Sequence, residues 1–295
     1  MFSRIIIATE ISPSATMMIS CLSGLRCLGA KESLLLQCLN PCETDSKIST
    51  YFMSIMEENL KKQKEMLEAQ GYTVSTRVTT GHIKNEINRI ALKEDFSMMV
   101  VGATKHSLVG DVVLGGMAHE IVQHARIPTL IVRVPNETVD KSKQASDCNI
   151  LEHVLFSTDF SANAEKAFEY VKKMVADGVK KVTLAHVMDK AIIEPHLKHR
   201  QEEFKEADQK KLEALKKELE TLENVVVDVK LLYGSPSAEL LKLIEKEKIS
   251  LVVMGSQGRG FIPQVFLGSV SHNLARHASA SVLLIPTKRE DNIIK

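Results

Sequence analysis

Gly255-Ser256-Gln257-Gly258, nine further residues, and then Gly268-Ser269 have the types and spacing to hold an anion. Glycine lacks a Cβ, so Gly255 and Gly258 can adopt positive φ and let peptide N–H groups approach a ligand closely. Gly268-Ser269 opens a helix, whose positive dipole end favours phosphate by about 0.3–1 kcal/mol. The Ser269 hydroxyl adds a donor at the same place. A plainer reading stands beside this one, because glycines punctuate any βα turn and a Gly-Ser pair often only caps a helix.

The elements that must position these residues are legible around them. Residues 251–254 are a β-branched apolar run that stops at Gly255, as a buried parallel strand does, although four residues alone also fit a helix. After Gly268, Ser269, Val270, Leu274, His277 and Ala278 share one helical face, and residues 281–285 form another strand closed by Pro286. Strands are expected at 4–8, 33–39, 72–79, 98–101 and 128–134, and again at 154–158, 182–187 and 225–232. Helices follow Pro13 and Gly81, and two long ones fall near 48–70 and 197–222. The second long helix is rich in Glu and Lys, which reads as a solvated face with Phe204, Leu212 and Leu219 on the apolar side.

The pattern occurs twice. Gly81 and Gly234, Gly102 and Gly255, Gly115 and Gly268, and His119 and His272 are each 153 residues apart. Such a period argues duplication of a whole βα domain. Domains are therefore expected at 1–135 and 150–295, joined by a polar linker at 136–149. Strands alternating with crossover helices imply an α/β fold: two tandem, doubly wound domains, each a five-stranded parallel sheet with helices on both faces.

In this setting the spacing G-x2-G-x9-G-S resembles the nucleotide-binding signature of the universal stress protein family, and the resemblance covers nearly the whole chain. It implies strand order 3-2-1-4-5 and pairing of domains through their fifth strands, here 129–133 against 282–285. It also implies an adenine nucleotide, ATP or AMP, with Mg²⁺ accompanying ATP. Thr158 and Asp159 then close strand one, with the Asp159 carboxylate on ribose hydroxyls, a role common in nucleotide folds; a helix cap ahead of Ser161 is the alternative. Val187 would offer backbone groups to the adenine edge and Met254 would pack beside it, though core packing suits both equally. Gly255, Gln257, Gly258, Gly268, Ser269 and Val270 would hold phosphates. Arg259 would add charge, unless it is simply a solvated loop residue.

The first copy departs from the signature. Glu10 stands in place of the Asp, Lys105 in place of the second glycine and Gly116 in place of the Ser. That half reads as degenerate, and one nucleotide per chain is expected.

Composition excludes several other classes. Lys plus Arg total 38 against 37 Asp plus Glu, so no net charge points to nucleic acid or a membrane surface. No apolar run reaches transmembrane length and no basic-then-apolar leader opens the chain, so a cytoplasmic protein is expected. Five cysteines in such a chain do not suggest a disulfide framework, and Cys38 and Cys42 lack the spacing of a redox or metal pair. His196 and His199 lack a third metal ligand, and the remaining histidines read as packing or surface residues. The leading expectation is a nucleotide-binding sensor or regulatory module in stress response, pairing its own domains and forming a homodimer. The runner-up is a slow ATPase or phosphotransferase at the same site. No G-x4-G-K-[ST] loop supplies the lysine such enzymes use, and no nucleophile–base pair is visible, so no catalytic residue is assigned.

Overall fold

Ile5, Ile6 and Ile7 are all fully buried, because the strand that carries them is covered on both faces. The structure is a computed structural model that describes residues 1–39, 46–105, 112–134, 149–259 and 267–287. The N-terminal half runs β1 (Arg4–Ala8), α1 (Pro13–Ser20), β2 (Glu32–Leu39), α2 (Ser46–Ala69), β3 (Thr73–Thr80), α3 (Ile83–Lys93), β4 (Met98–Lys105), β5 (Val112–Val113), α4 (Gly116–His124) and β6 (Thr129–Val134). The C-terminal half runs β7 (Val154–Ser157), α5 (Ala162–Ala176), β8 (Lys181–Asp189), α6 (Lys190–His196), α7 (Gln201–Glu220), β9 (Val226–Gly234), α8 (Pro236–Glu247), β10 (Leu251–Gly255), α9 (Ser269–His277) and β11 (Ser281–Ile285).

All strands join one sheet in the order β3-β2-β1-β4-β6-β11-β10-β7-β8-β9, with β5 paired antiparallel on β4. Two apolar layers sandwich it. Ile5 and Ile7 pack with Met18, Leu60 and, in the second half, Phe156 and Leu212 on one side. Ile6 and Ala8 pack with Ile87, Ile121, Val252 and Leu274 on the other. The alternation follows from the period-two direction of strand side chains.

The two halves meet where β6 and β11 pair antiparallel, Ile131 opposite Val282 and Leu130 opposite Leu283. Arg133 reinforces this seam. Its backbone N–H donates to Ser281 Oγ (3.1 Å), and its buried guanidinium donates to the Leu274 and Ala275 carbonyls at the end of α9. Burial lowers its pKa to about 10.

Two features depart from the sequence reading, and a third refines it. The long helix expected near 197–222 forms as α7, and a short helix that the sequence reading did not mark, α6, precedes it, because the Asp189 side chain accepts from the Ala191 N–H (2.9 Å) and starts α6 directly after β8. His119 on α4 and His272 on α9, read as packing or surface residues, pack against each other. Their rings meet edge-on across the seam, with centroids 5.8 Å apart. Cys21 is disulfide-bonded, while Cys27 and Cys38 are free thiols. Cys42, the linker 136–148 and the His196 side chain also lie outside the described residues.

The histidine pair carries a prediction. Burial, then Arg276, His119 and His277, hold the His272 pKa below the usual value. A depressed base favours its neutral form when folded, so its contribution is present above the unfolded pKa near 6.5 and is lost as pH falls through the folded value. His272→Gln should flatten the acid limb of a plot of Tm against pH between about 7 and 5. An unchanged limb would remove this pair from the acid sensitivity of the seam.

Candidate functional site

The glycine loop is stitched to its surroundings by the backbone. The Ser256 N–H donates to the Ile285 carbonyl and the Gly268 N–H to the Ser256 carbonyl, both at 2.8 Å. Ser271 Oγ donates to the Gly255 carbonyl (2.9 Å), and Asn163 Nδ2 donates to the Gln257 carbonyl (3.0 Å). These bonds fix the end of β10 against β11, α9 and α5.

The reason for glycine differs from the sequence expectation. None of Gly255, Gly258 or Gly268 adopts the left-handed φ that glycines 29, 71, 81, 178 and 234 show. Space is the constraint instead. A Cβ on Gly255 would lie 2.6 Å from Asn163 Nδ2, and one on Gly258 would overlap Asp159 Oδ2.

Asp159 bridges two loops. Its Oδ1 accepts from the Ser161 N–H (3.1 Å) and its Oδ2 from the Arg259 N–H (2.7 Å). The helix cap is Ser161, whose Oγ accepts from the Ala164 N–H (3.3 Å). Thr158 Oγ1 accepts from the Phe160 N–H (2.9 Å), which tightens the same turn. Across the loop, α9 begins at Ser269 without a side-chain cap, and its first intrahelical donor is the His272 N–H to the Gly268 carbonyl. The leading N–H groups of that helix are therefore available to a ligand.

Thr158, Asp159, Val187, Met254, Gly255, Gln257, Gly258, Arg259, Gly268, Ser269 and Val270 all line one cleft of about 680 Å³. It opens at the carboxyl ends of β7, β8 and β10, where the strand order reverses, the usual ligand position in such sheets. The sequence reading missed its outer wall. Ile192 and Ile193 of α6, Phe204, Asp208 and Lys211 of α7, and Leu240 of α8 also line it. Phe204 was legible as an apolar helix residue, but no local signal showed which cavity its helix covers. Ile192 is 64% exposed, an apolar side chain standing at the cleft mouth.

Among the described residues the first half shows a much smaller space, residues 106–111 of its own loop lying outside them. Its corresponding cavity is about 50 Å³, lined by Glu10, Ala15, Met18, Gly102 and Met117 among others. Met18 lines it, with its sulfur 3.1 Å from where a Gly102 Cβ would stand. The Glu10 carboxylate accepts from the neighbouring Ser12 hydroxyl (3.1 Å). The Lys105 side chain lies outside the described residues.

The molecule is thus a tandem, doubly wound α/β protein with a glycine-lined cleft in its second half alone among the described residues. A model of the universal stress protein family matches residues 1–133 and again 151–286, and the chain belongs to that family. Universal stress protein MJ0577 of Methanocaldococcus jannaschii is 31% identical over 154 residues, covering 46% of this chain and 94% of that protein. A universal stress protein of Mycolicibacterium smegmatis is 27% identical over 220 residues, 74% of this chain and 70% of the relative. The crystal structure of a universal stress protein from Archaeoglobus fulgidus shares the fold over 97% of this chain and 98% of its own, with a TM-score of 0.73 at 22% identity.

Proposed function

We propose that the C-terminal cleft binds one adenine nucleotide, ATP or AMP, and that the chain acts as a cytoplasmic sensor or regulatory module in stress response. The observation that carries this is the asymmetry between the halves. A cleft of about 680 Å³ joins the glycine loop, the uncapped start of α9 and the Asp159 turn, against about 50 Å³ in the first half. Among the described residues the smaller space is well below the size of a ligand cavity. Ligand cavities begin near 300 Å³.

The donor set fits the ligand class. N–H groups of Ser269 and Val270 and the Ser269 hydroxyl meet phosphate, Asp159 accepts from ribose hydroxyls, and Val187, Met254 and Leu240 surround the base. Among the described residues no group of three metal-ligating side chains exists, so Mg²⁺ accompanying ATP would take its ligands from phosphates and water. No helix among the described residues is long and apolar enough to cross a membrane.

Calorimetric titration of the full chain with AMP tests the reading. One site per chain is expected, and Asp159→Ala and Ser269→Ala should each weaken it by about tenfold or more, the cost of a hydrogen bond to a charged group. Glu10→Ala should change nothing. A stoichiometry of two would overturn the assignment to the second half, and absence of binding by ATP and AMP alike would overturn the ligand.

A further inference from the structure

His186 of β8 is buried beneath the cleft, and its partners fix where its protons can be. Nδ1 lies 2.7 Å from the Thr158 carbonyl oxygen. A carbonyl only accepts, so Nδ1 carries a proton and donates it. Nε2 lies 3.4 Å from Asp208 Oδ2 on α7. A carboxylate also only accepts, so a neutral His186 turns its Nε2 lone pair towards an anion. The two become hydrogen-bond partners when Nε2 gains a proton.

The surroundings tie this pair to the cleft on both sides. Thr158 and Asp159 form the turn proposed to meet ribose, and Asp208 and Lys211 belong to the cleft wall. Lys211 Nζ donates to Asp208 Oδ1 (3.0 Å) and stands 4.8 Å from the centre of the Phe160 ring, which packs on the imidazole at 4.6 Å.

We infer that His186 is a positioning residue: on taking a second proton it bonds Asp208 and fastens α7 to the Thr158–Asp159 turn, so that ligand binding is coupled to proton uptake. The identity of the ligand rests on the nucleotide reading above, whereas the latch rests on the geometry alone.

The charges facing His186 set the direction. Burial is the largest influence and lowers its pKa; the Thr158 carbonyl and Asp208 oppose this, Arg259 in the glycine loop adds to it, and Asp159 opposes it. Without ligand the second proton therefore enters below the ordinary value near 6.5. Phosphate seated on the glycine loop offsets Arg259 and adds negative charge, which raises the His186 pKa. A base whose pKa rises on binding takes up protons, so affinity increases as pH falls through this window.

The first half supplies an internal comparison. Ala8 pairs with Leu36 as Ser157 pairs with Ala185, which puts Gln37 at the register position of His186. Gln63 of α2 there accepts from the Thr9 hydroxyl (2.8 Å). Both are uncharged amides. The half with the small cavity thus has amides where the half with the open cleft has the titratable pair.

Two measurements on the full chain test the inference. In ligand-free protein, nitrogen-15 NMR should show neutral His186 protonated at Nδ1, with a pKa that falls further in Asp208→Asn. In titrations with AMP between pH 7.5 and 5.5, wild type should gain about fivefold in affinity relative to His186→Gln, within the hundredfold limit for one proton over two pH units. Comparison with the variant cancels titration of the AMP phosphate itself. Asp208→Asn offers an Nδ2–H to the neutral Nε2, so its affinity at pH 7.5 should approach that of wild type at pH 5.5 and lose the His186-dependent slope.

An Nε2–H neutral tautomer, or a pKa indifferent to Asp208→Asn, overturns the latch whatever binds in the cleft. A latch confirmed by NMR in a folded protein that binds no AMP or ATP overturns the nucleotide reading and the coupling, but not the latch. AMP binding with the same pH slope in wild type and His186→Gln overturns the coupling.

Discussion

Gly258→Val is expected to bind AMP at least about 100-fold more weakly than wild type, with Tm within about 3 °C. The new Cβ would fall on Asp159 Oδ2, so the carboxylate must swing away. It then loses the Arg259 N–H and its proposed place against ribose. A hydrogen bond to a charged group contributes about 1.5–3 kcal/mol, so losing the one proposed to ribose accounts for about a 100-fold change, while losing the internal Arg259 bond loosens the loop. The fold should tolerate the change because Asp159 is half-buried and Arg259 exposed, leaving the released groups to water. Gly268→Ala is the contrasting variant. Its Cβ would sit 3.5 Å from Gln257 Cα and from the Ser256 carbonyl, an ordinary contact, so any loss there reports the ligand rather than the loop. Isothermal calorimetry decides the matter, and wild-type affinity in folded Gly258→Val would sink the site assignment.

The seam should be the most sensitive place for stability. Leu283 is 1% exposed and pairs with Leu130, also 1% exposed, across the two halves. Leu283→Asp would bury a carboxylate in an apolar layer of leucines and valines. An unpaired buried charge of this kind costs about 4 kcal/mol or more. At about 2–4 °C per kcal/mol for a chain of this order, Tm should fall by roughly 10 °C. Scanning calorimetry reads this directly, and the two halves are expected to melt less cooperatively in the variant. A fall of less than about 3 °C would mean that β6–β11 pairing does not hold the halves together.

Much of the scaffold is legible because buried parallel strands leave short, strong signatures. Residues 281–285 are read from apolar content and Pro286, and the strand occupies Ser281–Ile285. The duplication is visible as glycines at a constant spacing, and the structure shows two α/β halves. The residues singled out from the glycine motif and the resemblance, Asp159 to Val270, surround one cleft. The outer wall was less legible. A helix such as α7 advertises its apolar face and its charges, but Phe204 and Asp208 do not say which cavity they border.

The sequence by itself determined the class of fold, the repeat and the glycine loop, since each depends on local conformation or on periodicity along the chain. Only the tertiary structure decided why those glycines are glycines. Gly258 yields its Cβ space to Asp159, 99 residues away in the chain. The same holds for His119 against His272 and for His186 against Asp208. Each side chain looks ordinary in its own stretch. Its partner and its reason for being there come from a neighbour that the sheet order and the seam bring within a few ångströms.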